Sequence, residues 1–268
     1  MFKLYKGAWI SNEAPHLSEK ISHSDCAKML GKGGLLVRNT YDFDTPVRTS
    51  FWYVVKDHFG GLEELSAKTR NQIRKSLKTY DVRIATNDEI RNLGLRIYNS
   101  ALKSYNKNTP LLTQKKLDEM ILAQSESTDD RYEYWMVFEK TTNVAVALAI
   151  NILKKDCCEY SSMKCDTNYM HNSTYPYYGL IHEMNRHYLQ DVKLKYVCDG
   201  ARSITEHSNI QEFLESKFNF RKAYCQLQIK YKWWVGAIVK VLYPFRKHVF
   251  HNKIRSLLRL ESMNRGEY

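Results

Sequence analysis

The sequence predicts a mixed α/β chain built around one main domain, and three observations carry that reading. Runs rich in β-branched and aromatic residues, such as Phe51 to Lys56 (FWYVVK) and Val144 to Leu153 (VAVALAINIL), read as strands. Segments with apolar residues three and four apart, such as the one carrying Ile90, Leu93, Ile97 and Ala101, read as helices. Strand and helix signals then alternate along the chain between short polar turns. Only 11 glycines and 5 prolines occur in 268 residues, so no linker or disordered tail is indicated. The length allows one large domain, or one domain with a sizeable extension, and is ample to bury a core.

Up to about Gly60 two strand-like runs appear. Leu35 to Asn39 (LLVRN) follows Gly33-Gly34, and Phe51 to Lys56 follows Thr45-Pro46. Leu65 to Lys78 (LSAKTRNQIRKSLK) is the most informative stretch. As a helix it puts Leu65, Ile73 and Leu77 on a narrow apolar stripe. Lys68, Arg70, Arg74, Lys75 and Lys78 fall on the opposite side. That positive face suits an anion, a nucleic acid or a lipid headgroup.

Tyr80 to Ala85 is a short strand, and Asn87 or Asp88 can cap the helix that follows. Pro110 interrupts, and Thr113 opens a second helix with Leu117, Met120 and Ile121 on one side. After the polar stretch from Ser125 to Asp130 come three strands: Tyr134 to Glu139, Val144 to Leu153, and Cys157 to Cys165. Ser173 or Thr174, with Pro176 behind it, starts a helix whose inner face is Leu180, Ile181, Met184 and Tyr188. Lys195 to Asp199 is a strand that stops at Gly200. Ser208 or Asn209 caps a helix with Ile210, Phe213, Leu214 and Phe218 inward, and Tyr224 to Tyr231 is the last strand. The expected organisation is an N-terminal extension over 1–60, a main domain over 61–232 and a helical tail over 233–268. The tail is apolar and aromatic from Trp233 to Phe245 and basic from Arg246 to Arg259.

The net charge of +12 favours anionic partners, but it is spread along the chain. The six cysteines form no Cys-x-x-Cys pair. They read as reduced, mostly buried thiols of an intracellular protein, and no metal site is expected. Met1 to Trp9 is too short and mixed for a signal peptide, and no apolar run reaches the roughly twenty residues of a membrane span.

From Tyr80 onward the order is strand, helix, helix, three strands, helix, strand, helix, strand. That order resembles the GNAT acyltransferase fold. The basic helix ahead of it resembles a segment of Fem-type (FemAB-like) transferases, which move aminoacyl or acyl groups onto cell-wall and other envelope precursors. Asp199 to Cys225 (DGARSITEHSNIQEFLESKFNFRKAYC) is similar to the end of that domain, with Lys217 to Phe220 (KFNF) as the turn before the last strand. The resemblance covers roughly Gly33 to Tyr231. It implies an α/β (α+β) fold with a mixed, mostly antiparallel sheet flanked by helices. The chain departs from it twice. Ser173 to Leu180 (STYPYYGL) lacks the Gln/Arg-x-x-Gly-x-Gly/Ala phosphate loop of enzymes that use coenzyme A. Fem transferases also carry two such domains, where this chain has room for one plus a short extension.

The resemblance places the chemistry where the middle strands splay and in the loop after Asp199. Acyl transfer needs a base for the nucleophile, donors for the oxyanion and an acid for the leaving group. His207 suits a general base near neutral pH, against the alternative of a helix-start histidine with no chemistry. Asp199 either orients a base or binds the acceptor, or satisfies loop amides. Glu206 is a further acid–base candidate, or caps the next helix. Arg202, with Ser203 beside it, suits an acceptor phosphate or carboxylate, or a surface ion pair. Tyr178 is the candidate acid. Thr174, Tyr175, Tyr177 and Gly179, with Ser161, Ser162 and Asn209, would hold the donor, although an aromatic cluster also packs. Arg74 and Lys78 would bind substrate.

The expected activity is transfer of an acyl or aminoacyl group from acyl-coenzyme A or aminoacyl-tRNA to an amino or hydroxyl group of a sugar or envelope precursor. Attack is direct in a ternary complex, with no tightly bound cofactor and no nucleophilic cysteine. A bacterial, cytoplasmic N-acetyltransferase of polysaccharide or envelope biosynthesis fits this description. Trp233-Trp234 and the basic tail suit peripheral contact with an anionic membrane at its inner face, or a fold-back onto the sheet. The alternative is a non-enzymatic protein that keeps the fold and binds nucleic acid or an anionic surface.

Overall fold

The computed structural model describes residues 2–105, 109–170, 172–204 and 209–267. Its strands and helices run, in order, β1 (Phe2–Tyr5), β2 (Ala8–Ser11), α1 (His23–Gly31), β3 (Leu36–Tyr41), β4 (Phe51–Lys56), α2 (Ala67–Thr79), β5 (Tyr80–Ala85), α3 (Asn87–Tyr105) and α4 (Gln114–Ser125). There follow β6 (Arg131–Glu139), β7 (Ala145–Lys154), β8 (Cys157–Cys165), the short α5 (Thr167–Met170), α6 (Pro176–Asn185), β9 (Tyr196–Ala201), α7 (Ile210–Phe218), β10 (Arg221–Tyr231), α8 (Trp233–Leu242) and α9 (Asn252–Asn264). The fold is mixed α/β with mostly antiparallel strand pairing, as the sequence predicts.

The chain divides into two compact units. The central unit comprises Val55–Gly200 and Ile210–Phe220; the terminal unit comprises Met1–Val54, Ala201–Asn209 and Arg221–Tyr268. The last strand and the C-terminal helices thus group with the first 54 residues rather than forming a separate tail.

In the central unit the strand order is β9-β8-β7-β6-β5. β5 to β8 pair antiparallel and β9 pairs parallel to β8. From Ala145 to Ile152 every residue of β7 is buried, because both faces of this middle strand are covered. Leu148 and Ile150 join Ile90 and Ile97 of α3 and Leu117 and Ile121 of α4 in one apolar cluster. On the other face the Asn151 amide reaches Met184 of α6 and the Tyr188 hydroxyl, which lies just beyond α6.

The starts of α3 and α6 differ from the sequence expectation. α3 is capped by Thr86 rather than Asn87 or Asp88. The Thr86 hydroxyl accepts from the Glu89 N–H (3.2 Å) and the Glu89 carboxylate accepts from the Thr86 N–H (2.9 Å), a reciprocal capping box. α6 is preceded by Tyr175 in the left-handed region (φ 57°), with Pro176 as its first residue and no side-chain cap. Thr174 does not cap because its hydroxyl is engaged by Tyr80 and Asn172. Thr113 caps α4 as expected, accepting from Lys116.

The terminal unit has the strand order β1-β2-β3-β10-β4. β1 and β2 form a hairpin that the sequence reading missed. Its two-residue turn, Lys6-Gly7, has both φ values positive (48° and 84°), the geometry of a primed hairpin turn. α1 was also missed, although Ser22 caps it by accepting from Asp25. At the other end, Val235, Val239 and Tyr243 of the α8 segment close on Leu258 of α9. Buried Glu261 of α9 accepts from the Tyr231 hydroxyl of β10 (2.8 Å) and from Arg265 (2.8 Å). Among the described residues no helix is long and apolar enough to cross a membrane.

Candidate functional site

The central unit opens where β8 and β9 part. They are in register at Cys157 with Tyr196, Cys158 with Val197 and Glu159 with Cys198. Immediately beyond, β8 shifts its register against β7 between Ile150 and Asn151, which leaves Ser161 as the extra residue of a bulge. Ser161 is exposed there, while half-buried Ser162 hydrogen-bonds the Tyr98 phenol.

Asp199 is the first β9 residue past the last in-register pair. Burial pushes its carboxyl up to about 7, and the neighbouring Glu159 carboxylate adds to the rise. A hydrogen bond from Gln211 of α7 opposes it, and the Gln211 amide also donates to the Asp199 carbonyl (3.4 Å). Glu159 is paired with Lys154 at 3.2 Å. A carboxyl that titrates near neutrality is suited to take a proton from an incoming nucleophile.

The start of α6 forms a second cluster with α2. Ser66 caps α2 two residues later than the sequence suggests. Its buried stripe is Thr69, Ile73 and Ser76, with Leu77 only half-buried, because the two hydroxyl residues meet polar partners rather than oil. The Ser76 hydroxyl accepts from the Gly179 N–H at 3.1 Å. A Cβ on Gly179 would come within 2.5 Å of that oxygen, so glycine here lets two helices approach. Lys75 reaches the Ser173 hydroxyl (3.3 Å) and lies over the Tyr175 ring. Lys68, Arg74, Lys75 and Lys78 remain exposed, as the sequence predicts for the positive face.

Tyr178 is buried between helices, edge-on to Phe213 of α7 (ring centroids 5.2 Å) and hydrogen-bonded to Gln72 of α2. Burial raises its phenol, which keeps the proton at neutral pH. Tyr177 is half-buried.

Phosphate binding at a helix N-terminus needs open N–H groups. Pro176 has none, the Tyr178 N–H goes to the Tyr175 carbonyl (3.0 Å), and the Gly179 N–H goes to Ser76. These residues do not fit a coenzyme A pyrophosphate at the start of α6.

Of the other expected site residues, Arg202 and Ser203 lie in the terminal unit, as does exposed Asn209. Arg202 stacks on Trp52 (4.2 Å to the ring centroid) and donates to the Ser50 carbonyl (2.5 Å). Glu206 and His207 lie outside the described residues. The structure brings together Asp199 and Gln211 at one place, and Tyr175, Tyr178 and Gly179 with α2 at another, where Thr174 meets Tyr80 at the start of β5; α7 touches both through Gln211 and Phe213.

Three partners were missed from sequence. Glu159 and Gln211 lacked any local signal, since one sits in a strand and the other in a helix opening. Lys56 read as the polar end of a strand. It is 1% exposed, 2.9 Å from Glu64, which also meets His58 at 2.9 Å. The six cysteines are all buried and unpaired, and burial pushes the thiols of Cys158 and Cys198 well up, away from a nucleophilic thiolate.

No family model and no curated protein matches the chain. Solved structures do. FemX superposes with a TM-score of 0.56 at 8% identity, over 82% of this chain and 77% of that one. The C-terminal DUF2156 domain assigned to a lysylphosphatidylglycerol synthetase of Agrobacterium fabrum gives 0.52 at 9% identity, over 90% and 84%. L-PGS from Bacillus licheniformis gives 0.52 at 8% identity, over 100% and 85%. The fold is shared with FemX and with these synthetase structures, as the resemblance to Fem-type transferases implies.

Proposed function

We propose that this chain is an acyltransferase in which Asp199 is the general base. The observation that carries the reading is a carboxyl held near pH 7 by burial beside Glu159, at the point where β8 and β9 separate. An acceptor amine or hydroxyl gives its proton to the Asp199 carboxylate as its lone pair bonds the donor's carbonyl carbon. The bond to the leaving thiol or hydroxyl then breaks, and the leaving group takes up a proton. Tyr178, neutral and hydrogen-bonded, is the acid available on α6. The raised cysteine thiols favour this direct attack over a covalent intermediate.

The donor carries phosphate, as acyl-coenzyme A or aminoacyl-tRNA. The exposed face of α2, with Arg74 and Lys78, supplies the charge for it, because the start of α6 has its donors engaged. Ser161 and Ser162 flank the acyl arm at the bulge. The acceptor is a sugar or envelope precursor. One structural neighbour is assigned to lysylphosphatidylglycerol synthesis, which supports an envelope component as acceptor. Exposed Trp233, Val241, Phe245 and Phe250 beside basic residues support peripheral contact with an anionic membrane.

Transfer assays with a panel of acyl and aminoacyl donors test the reading. Asp199→Asn should lower kcat/KM by about 10²- to 10⁴-fold with the fold intact. Unchanged turnover in that variant removes Asp199 as the base. A protein that shows no transfer with any donor, yet binds nucleic acid through Arg74, Lys75 and Lys78, fits the alternative of a binding module.

A further inference from the structure

The terminal unit holds a cavity that the transfer chemistry does not use. Its volume is about 350 Å³, and Arg202, Arg246, Arg255 and Arg259 line it with Leu258, Ser262, Met263 and Glu267. Four arginines thus line one small space, and Glu267 is the one carboxylate among the described residues that line it. Like charges this close repel, and an anion among them relieves that repulsion.

The arginines come from three places in the sequence and are positioned in different ways. Arg202 is held by the Ser50 carbonyl (2.5 Å) and by its stack on Trp52. Arg246 donates to Glu267 (2.9 Å) and to the Tyr243 carbonyl (3.3 Å), and lies 4.4 Å from the Tyr243 ring centroid. Arg255 and Arg259 are four residues apart on α9, and with Leu258, Ser262 and Met263 they mark one face of that helix. Leu258 and Met263 are buried, which fixes the rotation of α9 and aims this face at the cavity. Met263 is tied further by the Ser50 hydroxyl, which donates to its carbonyl. Arg255 also donates to the Asn252 Oδ1 (3.2 Å), so at least three of the four guanidiniums are held before any ligand arrives, which lowers the entropy lost on binding.

We propose that this cavity binds a phosphate group. Guanidinium forks match phosphate oxygens in pairs, and arginine is favoured over lysine wherever that fit matters. The ligand is either a soluble phosphate ester or a lipid headgroup. The second source is raised by Phe245 and Phe250, which flank Arg246 in sequence and are 63% and 90% exposed. The inference stands apart from the transfer reading, since binding is measured without turnover.

The test uses the full chain and two probes. Inorganic pyrophosphate is titrated calorimetrically, and sedimentation measures binding to phosphatidylcholine vesicles with and without phosphatidic acid. The proposal expects binding to at least one phosphate probe, weakened about tenfold or more in Arg255→Ala/Arg259→Ala. The Arg255→Lys/Arg259→Lys variant keeps the charge and should recover only part of the affinity. Pyrophosphate binding alone identifies a soluble ligand; binding only to phosphatidic acid vesicles identifies a headgroup. Circular dichroism melting confirms that the variants fold, and Asp199→Asn should bind as the unaltered chain does. No binding to either probe overturns the proposal, and so does binding that the alanine pair leaves intact.

Discussion

At the residue scale, a carboxyl held near neutrality is useful in chemistry and unfavourable for folding. Asp199 titrates at about 7 in the folded chain, against about 3.9 when unfolded. Between those values the folded state carries a proton that the unfolded state has already lost, so stability falls as pH rises from about 4 to about 7. Asp199→Asn removes that penalty. It should raise the unfolding free energy at pH 8 by about 4 kcal/mol and change it little at pH 4, which urea denaturation at the two pH values measures. Asp199 itself was legible in the sequence as a carboxylate ending a strand beside a polar loop. Its raised titration was not, because the causes, burial and Glu159, come from a neighbouring strand. Gln211 was equally hidden, since nothing in its local sequence says that α7 turns it toward β9.

At the element scale, the contact between α2 and α6 sets what the start of α6 can do. Gly179 read as one of the residues that hold the donor; in the structure its N–H is spent on Ser76 and its missing side chain makes room for α2. Gly179→Ala would press a methyl against both the Ser76 hydroxyl (2.5 Å) and Cβ (3.2 Å). The expected loss is about 1–3 kcal/mol, seen as a lower thermal midpoint, and Ser76→Gly in the same chain should restore part of it. Apart from the short α5, the helices and strands from Tyr80 to Tyr231 were legible because their apolar periodicities are strong. Their caps were less so. Thr86 and Glu89 form a capping box that competes with the equally plausible Asn87 and Asp88, and only the reciprocal hydrogen bonds decide between them. The hairpin of β1 and β2 escaped because its strands have four residues each and are at best half-buried, leaving no alternating pattern to read.

At the scale of the whole molecule, sequence order and spatial grouping part company. The apolar and basic stretch after Trp233 looked like an appendage, yet α9 belongs to the core of the terminal unit. Leu258 is 1% exposed against Val235, Val239 and Tyr243. Leu258→Ala should therefore cost about 2–5 kcal/mol, a large share of a typical domain's stability, where a solvated tail would tolerate the change. Calorimetry distinguishes the two. Such long-range partnership between the first and last segments leaves no mark in local periodicity, which is why the sequence suggested three consecutive parts.

The central claim is that Asp199 removes the acceptor's proton, and the pH dependence of transfer tests it most directly. With a productive donor and acceptor pair, kcat/KM should rise with pH through a midpoint near 7, the value at which burial holds Asp199. Asp199→Asn should lose that rise together with about 10²- to 10⁴-fold of the rate. A profile that keeps its midpoint and its rate in the Asp199→Asn variant would contradict the account.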